Sequence, residues 1–358
     1  MIWLRGVLLF LLLCASDILG EGPIFHVPPG IDPEGDQVYL LEQGFEDAIV
    51  LARVAAITFD PCDVYFNRYF NAEDSKFVSD VFRTIANIPL DISLEDNGNP
   101  PDLSTMLTDS LNSKFPSLQI AIGDHPARDD QDEQCEGNHI DGFFSFDTND
   151  PTAGLLSICN GAWRYPALDD IFEPPASWRG KPGFECGGLG PRESNLELPL
   201  GGVILHEMLH WPYLFQNDVP DWSTKVPTLP QYPTVRQIPD YKDYTGNPPD
   251  GYGPYYAPQL KTVPKGMWGD QYPITTNNAD SFVYFATTKY WSLKCNRNFA
   301  PPVDEDDAEQ RDDSWNEFLP AASSSASPPR PTKRSILLDR LLGFRYNGTS
   351  HPHSRISR

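Results

Sequence analysis

Five consecutive residues, His206-Glu207-Met208-Leu209-His210, have the types and the spacing that zinc chemistry needs. They lie in an apolar stretch from Leu200 to Trp211 that follows Pro199 and stops before Pro212, so the prolines read as helix boundaries. On a helix, residues four apart share a face, and the two imidazoles converge on one point, as zinc requires. Glu207 stands one position from the first. Zinc lowers the pKa of a bound water, and a carboxylate placed there takes the proton, which makes hydroxide beside a polarised carbonyl. With 7 histidines in 358 residues, the pattern arises by chance in roughly one such chain in a hundred or fewer. Two ordinary core or capping histidines on an apolar helix are therefore the weaker reading.

A catalytic zinc takes three protein ligands and leaves one position for water. After His210 the next histidine is His351 and the next glutamate is Glu305, both in the C-terminal tail. The metzincin pattern requires Gly at 213 and His at 216, where Tyr213 and Gln216 stand, and is excluded. Aspartate remains, as Asp218, Asp221, Asp240, Asp243, Asp250, Asp270 or Asp280, unless the ligand lies upstream.

The rest of the chain must hold this helix in a core. Residues are 40% hydrophobic and 12% aromatic, enough for one large core. Between Glu21 and Ala300 there is no internal repeat and no composition break, so residues 21–300 form one domain. Apolar residues recur at helical spacing over Phe45 to Ala56 and Ser75 to Ala86. Short apolar runs flanked by Gly, Asn and Asp predict strands at Leu118 to Ile122 and Gly154 to Cys159. The fold class is therefore α+β, with Gly154 to Cys159 as the edge strand that pairs with a substrate. The 36 prolines, 26 glycines and mean hydropathy of −0.41 predict long irregular connections.

The ends and the charge narrow the setting. Residues 1–20 carry Arg5, an apolar run from Val7 to Cys14 and then Ala15 and Ser16, the pattern of a secretory signal peptide. The run is too short for a membrane span and no later one is long enough, so the mature protein is expected outside the cell as a monomer. Five cysteines remain after signal removal, Cys62, Cys135, Cys159, Cys186 and Cys295, which predicts two disulfides and one free thiol. None forms CxxC, which argues against a thiolate zinc site. A net charge of −23 repels phosphate backbones and argues against nucleic acid. From Pro301 the composition turns acidic, then Ala/Ser-only, then Pro-rich, so residues 301–358 read as a disordered tail. The tail holds a short apolar segment from Ile336 to Leu342, a dibasic pair at Lys333-Arg334, and a glycosylation sequon at Asn347.

The region from about 200 to 290 resembles the deuterolysin-like, or aspzincin, fungal zinc endopeptidases, which include a lysine-specific branch. The matching pieces are His206 to His210, Ile238-Pro239-Asp240-Tyr241, Tyr252-Gly253, and Asn278-Ala279-Asp280 ahead of Ser281-Phe282-Val283-Tyr284-Phe285-Ala286. The resemblance implies a zincin-like domain in which His206, His210 and Asp240 bind one Zn2+, with Asp243 and Asp250 as alternatives to Asp240. It makes Glu207 the general base and Tyr252 a hydrogen-bond donor to the tetrahedral oxyanion, against simple packing of Tyr252 beside Tyr255 and Tyr256. The family's aspartate stands three residues before its tyrosine, whereas here a Pro-rich insertion flanks each candidate. The lysine-specific branch has an acid where this chain has Val283, so strict lysine preference is not implied. Asp280 is either a contact for a basic substrate side chain or the cap of a helix starting at Ser281.

The sequence therefore reads as a secreted zinc endopeptidase that cleaves protein or peptide substrates by Glu-assisted attack of zinc-bound water. A secreted zinc-binding or cell-surface protein on an inactive zincin scaffold is the alternative, and a structural or effector protein without metal ranks third. An intact Glu207 favours the enzyme, because metal binding alone does not need that carboxylate.

Overall fold

The computed structural model describes residues 22–92, 110–128, 133–135, 140–147, 149–229, 232–243, 245–264 and 274–308. The signal peptide, Asp270 and the tail beyond residue 308, with its apolar segment, Lys333-Arg334 and sequon, lie outside the described residues. Helix and sheet are mixed, as expected for an α+β chain.

The longest helix, α1 (Asp36–Ile57), is buried at every position from Asp47 to Ala56. A helix apolar on all sides belongs inside a core rather than on it. The polar first turns, with Asp36, Gln37 and Glu42, hide the periodicity of the N-terminal half, so the sequence shows only the second. Helix α2 (Ser75–Ile85) has the expected bounds within one residue. The motif lies on α3 (Leu200–Leu209), which Pro199 starts and which ends at His210, its C-cap in αR conformation. Glycines let α3 cross α1 at close range. A Cβ on Gly44 would meet Ile204 Cδ1 at 2.9 Å, and one on Gly201 would meet Asp47 Cβ at 2.5 Å.

Four strands form one sheet, in the order β1 (Ile24–His26), β2 (Leu118–Ile122), β4 (Gly154–Ile158), β3 (Gly142–Phe146). The first three are parallel and β3 runs antiparallel to β4. The expected edge strand is thus an interior one, and β3 takes the edge. Burial explains the correction: β4 is buried at all five positions, as suits a strand flanked on both sides, while β3 is half-buried throughout. Gly154 on β4 packs against the Trp211 ring, which its Cβ would meet at 2.9 Å, and the Trp211 indole donates to Thr152 O at 3.1 Å. The sheet is thereby tied to the end of the motif helix.

Helix α5 (Ala279–Lys294) packs on α1 and α3 and puts Phe282 and Phe285 among Phe66, Phe70 and Phe82. It begins two residues before Ser281, so Asp280 is in its first turn and Asn278 is the N-cap. Two disulfides form, Cys135–Cys159 and Cys186–Cys295, and Cys62 is a free, exposed thiol. Among the described residues no helix is long and apolar enough to cross a membrane.

Candidate metal centre

The last turn of α3 brings the two histidine rings together at 4.9 Å between centroids. Each ring is fixed from behind. His206 Nδ1 donates to Asp280 Oδ1 at 2.6 Å, and His210 Nδ1 donates to the Ile238 carbonyl at 2.7 Å. With the proton on Nδ1, the Nε2 lone pairs of both rings point away from these anchors, and such outer partners orient metal-binding imidazoles. Both Nε2 atoms face Asp240, at 3.2 Å from Oδ1 for His206 and 3.5 Å from Oδ2 for His210.

Asp240 lies on a loop outside any strand or helix, so its position needs its own explanation. Asn278 supplies it. Its Oδ1 accepts from Tyr241 N at 3.1 Å and its Nδ2 donates to Gly251 O at 2.9 Å, so one side chain on the N-cap of α5 grips both arms of the loop. A Cβ on Gly251 would come within 2.2 Å of that amide. The arms are also joined by Gly251 N to Tyr241 O at 3.0 Å and by a bridge between Lys242 and Asp250. The Pro-rich insertion is thus pinched off at its base. Tyr252, twelve residues after Asp240, returns close enough to donate its hydroxyl to Asp240 Oδ2 at 3.0 Å.

The other aspartates go elsewhere. Asp243 accepts from the backbone and hydroxyl of Thr245 in the turn, and Asp250 accepts from Tyr252 N. Asp218 pairs with Lys114. Asp280 lines the cleft with both oxygens already engaged: one accepts from His206 and the other from Gly253 N at 2.7 Å. Among the described residues, His206, His210 and Asp240 are the group of His, Cys, Asp and Glu side chains that could hold a metal ion.

The donor set fits a cation on three counts. The two imidazole Nε2 atoms and a carboxylate face one another, an arrangement that a shared cation or a proton on an imidazole satisfies. Asp240 Oδ1 is buried without a hydrogen-bond partner. Finally, a tetrahedral zinc with bonds of about 2.0–2.1 Å separates its ligand atoms by about 3.3 Å, near the distances found. Burial alone would lower the His206 pKa, but Asp240 and Asp280 hold it well above its usual value; burial alone would raise that of Asp240, but the two imidazoles hold it well below.

A cleft of about 920 Å³ opens over this cluster. Glu207 lines it, 5% exposed, and burial pushes its carboxyl up, opposed by the two imidazoles. One wall is the start of β3, where Gly142 leaves room for Glu207: a Cβ there would stand 3.3 Å from Glu207 Cγ and 3.1 Å from Ser157 O. The opposite wall carries Tyr252, whose ring stacks on His206 with centroids 6.2 Å apart. Burial and then Asp240 raise the pKa of this phenol, so it stays protonated and able to donate.

Sequence reasoning missed three participants. Ile238 acts through its carbonyl, which no side-chain pattern reveals. Gly142 acts by lacking a side chain, and the only sequence sign was the aromatic run Gly142-Phe143-Phe144-Ser145-Phe146 as a strand. The anchoring of His206 by Asp280 depends on how two helices cross. Comparison with family models, with curated proteins and with solved structures gives no match.

Proposed function

We propose that this protein is a secreted zinc endopeptidase of zincin-like design. The observation that carries the reading is the convergence of two Nδ1-anchored imidazoles on Asp240, with Glu207 beside them in a cleft of about 920 Å³. His206, His210 and Asp240 would hold the ion, which when bound acidifies water and polarises a carbonyl. Glu207 takes up a proton and returns it to the leaving amine, a task suited to a carboxyl whose pKa burial has raised. Tyr252 offers its hydroxyl to the charge that develops on the substrate oxygen. The β3 edge has no strand on its far side among the described residues, so an extended substrate can add to it by main-chain hydrogen bonds. Two disulfides support an extracellular setting.

Zinc content of the purified protein, measured by plasma emission spectrometry beside a casein digestion with and without chelator, tests the reading. One zinc per chain with chelator-sensitive cleavage is the expected result. One zinc without cleavage would leave a zinc-binding protein on an inactive scaffold, and no zinc would return both histidines to ordinary packing.

A further inference from the structure

The lining of the cleft includes a segment for which peptide hydrolysis has no use. Its wall there is α4 (Gly253–Tyr256), and against α4 lies α6 (Glu305–Ala308), the first turn of the acidic stretch that opens the tail. Tyr256 donates to Glu305 Oε2 at 2.5 Å, and this bond, more than any other cause, pushes the phenol up to about 12. Ala308 is only 2% exposed although it ends a four-residue helix, and both Glu305 and Ala308 line the cleft. Asp250 also lines the cleft, and burial, Asp280 and Glu305 raise its pKa, so Glu305 is seated against the repulsion of another acid. The Tyr256 bond and the burial of Ala308 are among the contacts that seat the segment.

We propose that the Tyr255–Tyr256 wall is a docking surface for the chain's own segment Asp304–Ala308, which shortens the cleft and restrains long substrates. A helical turn of four residues is about 6 Å long, the span of roughly two extended substrate residues. Long peptides must displace it, and short ones need not. The catalytic consequence rests on the peptidase reading, whereas the docking stands without it.

Two full-chain variants undock the segment and leave the wall intact: Glu305→Ala removes the acceptor, and Ala308→Arg cannot be buried. If the open state is populated at roughly 10–30%, KM for a ten-residue peptide falls by about three- to tenfold in both, with kcat and the KM of a four-residue peptide unchanged. A labelled synthetic peptide spanning Val303 to Arg311 is expected to bind both variants about three- to tenfold more tightly than the wild type, as read by fluorescence anisotropy. Amide exchange at residues 305–308 is expected to be about three- to tenfold slower in the wild type than in Ala308→Arg. An unchanged long-peptide KM, equal peptide binding by wild type and variants, or equally fast exchange in wild type and Ala308→Arg would overturn the proposal. If no peptide is cleaved by any form, the peptidase reading fails, and anisotropy and exchange still decide the docking.

Discussion

Helix α5 supports two buried clusters of acids with opposite characters. At its start, Asp280 anchors His206 beside Asp240, and further along, Thr288 donates to Glu197 at 3.1 Å next to Glu193. Glu193 and Glu197 are fully buried and meet donors: Arg68 pairs with Glu193, and the Tyr69 hydroxyl donates to it at 2.9 Å. Burial nonetheless pushes Glu193 up to about 7, with Arg68 and Tyr69 only opposing it. Asp240 is partly exposed, and its pKa falls, because the charges of His210 and His206 outweigh what burial it has. Burial alone thus does not mark a functional acid. What distinguishes the clusters is the neighbour: two imidazoles that can bind a metal face Asp240, whereas a guanidinium and hydroxyls face Glu193 and Glu197.

The contrast can be tested from its largest expected effect to its smallest. Glu207→Gln is expected to keep one zinc per chain and to lower kcat by about 10²- to 10⁴-fold, measured by peptide cleavage beside emission spectrometry; retained activity would sink the mechanism. The closed cluster makes a different prediction, through pH. Glu193 stays protonated in the folded state up to about pH 7, against 4.5 when unfolded, so between those values the folded state holds a proton that the unfolded state has released. Its contribution to stability is full below about pH 4.5, falls by roughly 3 kcal/mol as pH rises to about 7, and is level above. Glu193→Gln is expected to remove that slope in urea unfolding at pH 5 and pH 7, and an unchanged slope would mean that Glu193 ionises freely.

Asp280→Asn tests the open cluster in the same helix. It keeps an acceptor for His206 but removes the charge, and zinc affinity, measured by chelator competition, is expected to fall roughly 10- to 100-fold. Equal affinity would make Asp280 a structural residue like Thr288. The smallest effect belongs to Gly142→Ala, which crowds Glu207 without touching a ligand. Cleavage should drop roughly tenfold with zinc content intact, since small displacements of a catalytic group are costly.

Much of this architecture was legible in the sequence because regular structure repeats. The motif helix, the second half of α1, α2, β2 and most of β4 each follow from apolar spacing, and the five cysteines pair as two bridges and one thiol. The error over the sheet edge has a physical cause: a short apolar run shows that a strand is buried, not which strand lies beyond it. Asp240 was one of several aspartates by elimination, because a loop has no period, and the contact that places it comes from Asn278, 38 residues away. The role of Asp280 was likewise hidden, since a first-turn acid looks the same whether it steadies a helix or an imidazole.

His206, Glu207, His210, Asp240, Tyr252 and Asp280 all lie inside the covalent ring closed by Cys186–Cys295, which spans 109 positions. The pinched insertion, with Thr245 and Asn247 exposed at its tip, is also inside that ring. A cut made there by a protease would leave the two pieces joined. The nicked molecule would run as a single band on a gel without reductant and separate into fragments only when thiol is added, so sample purity is best judged under reducing conditions.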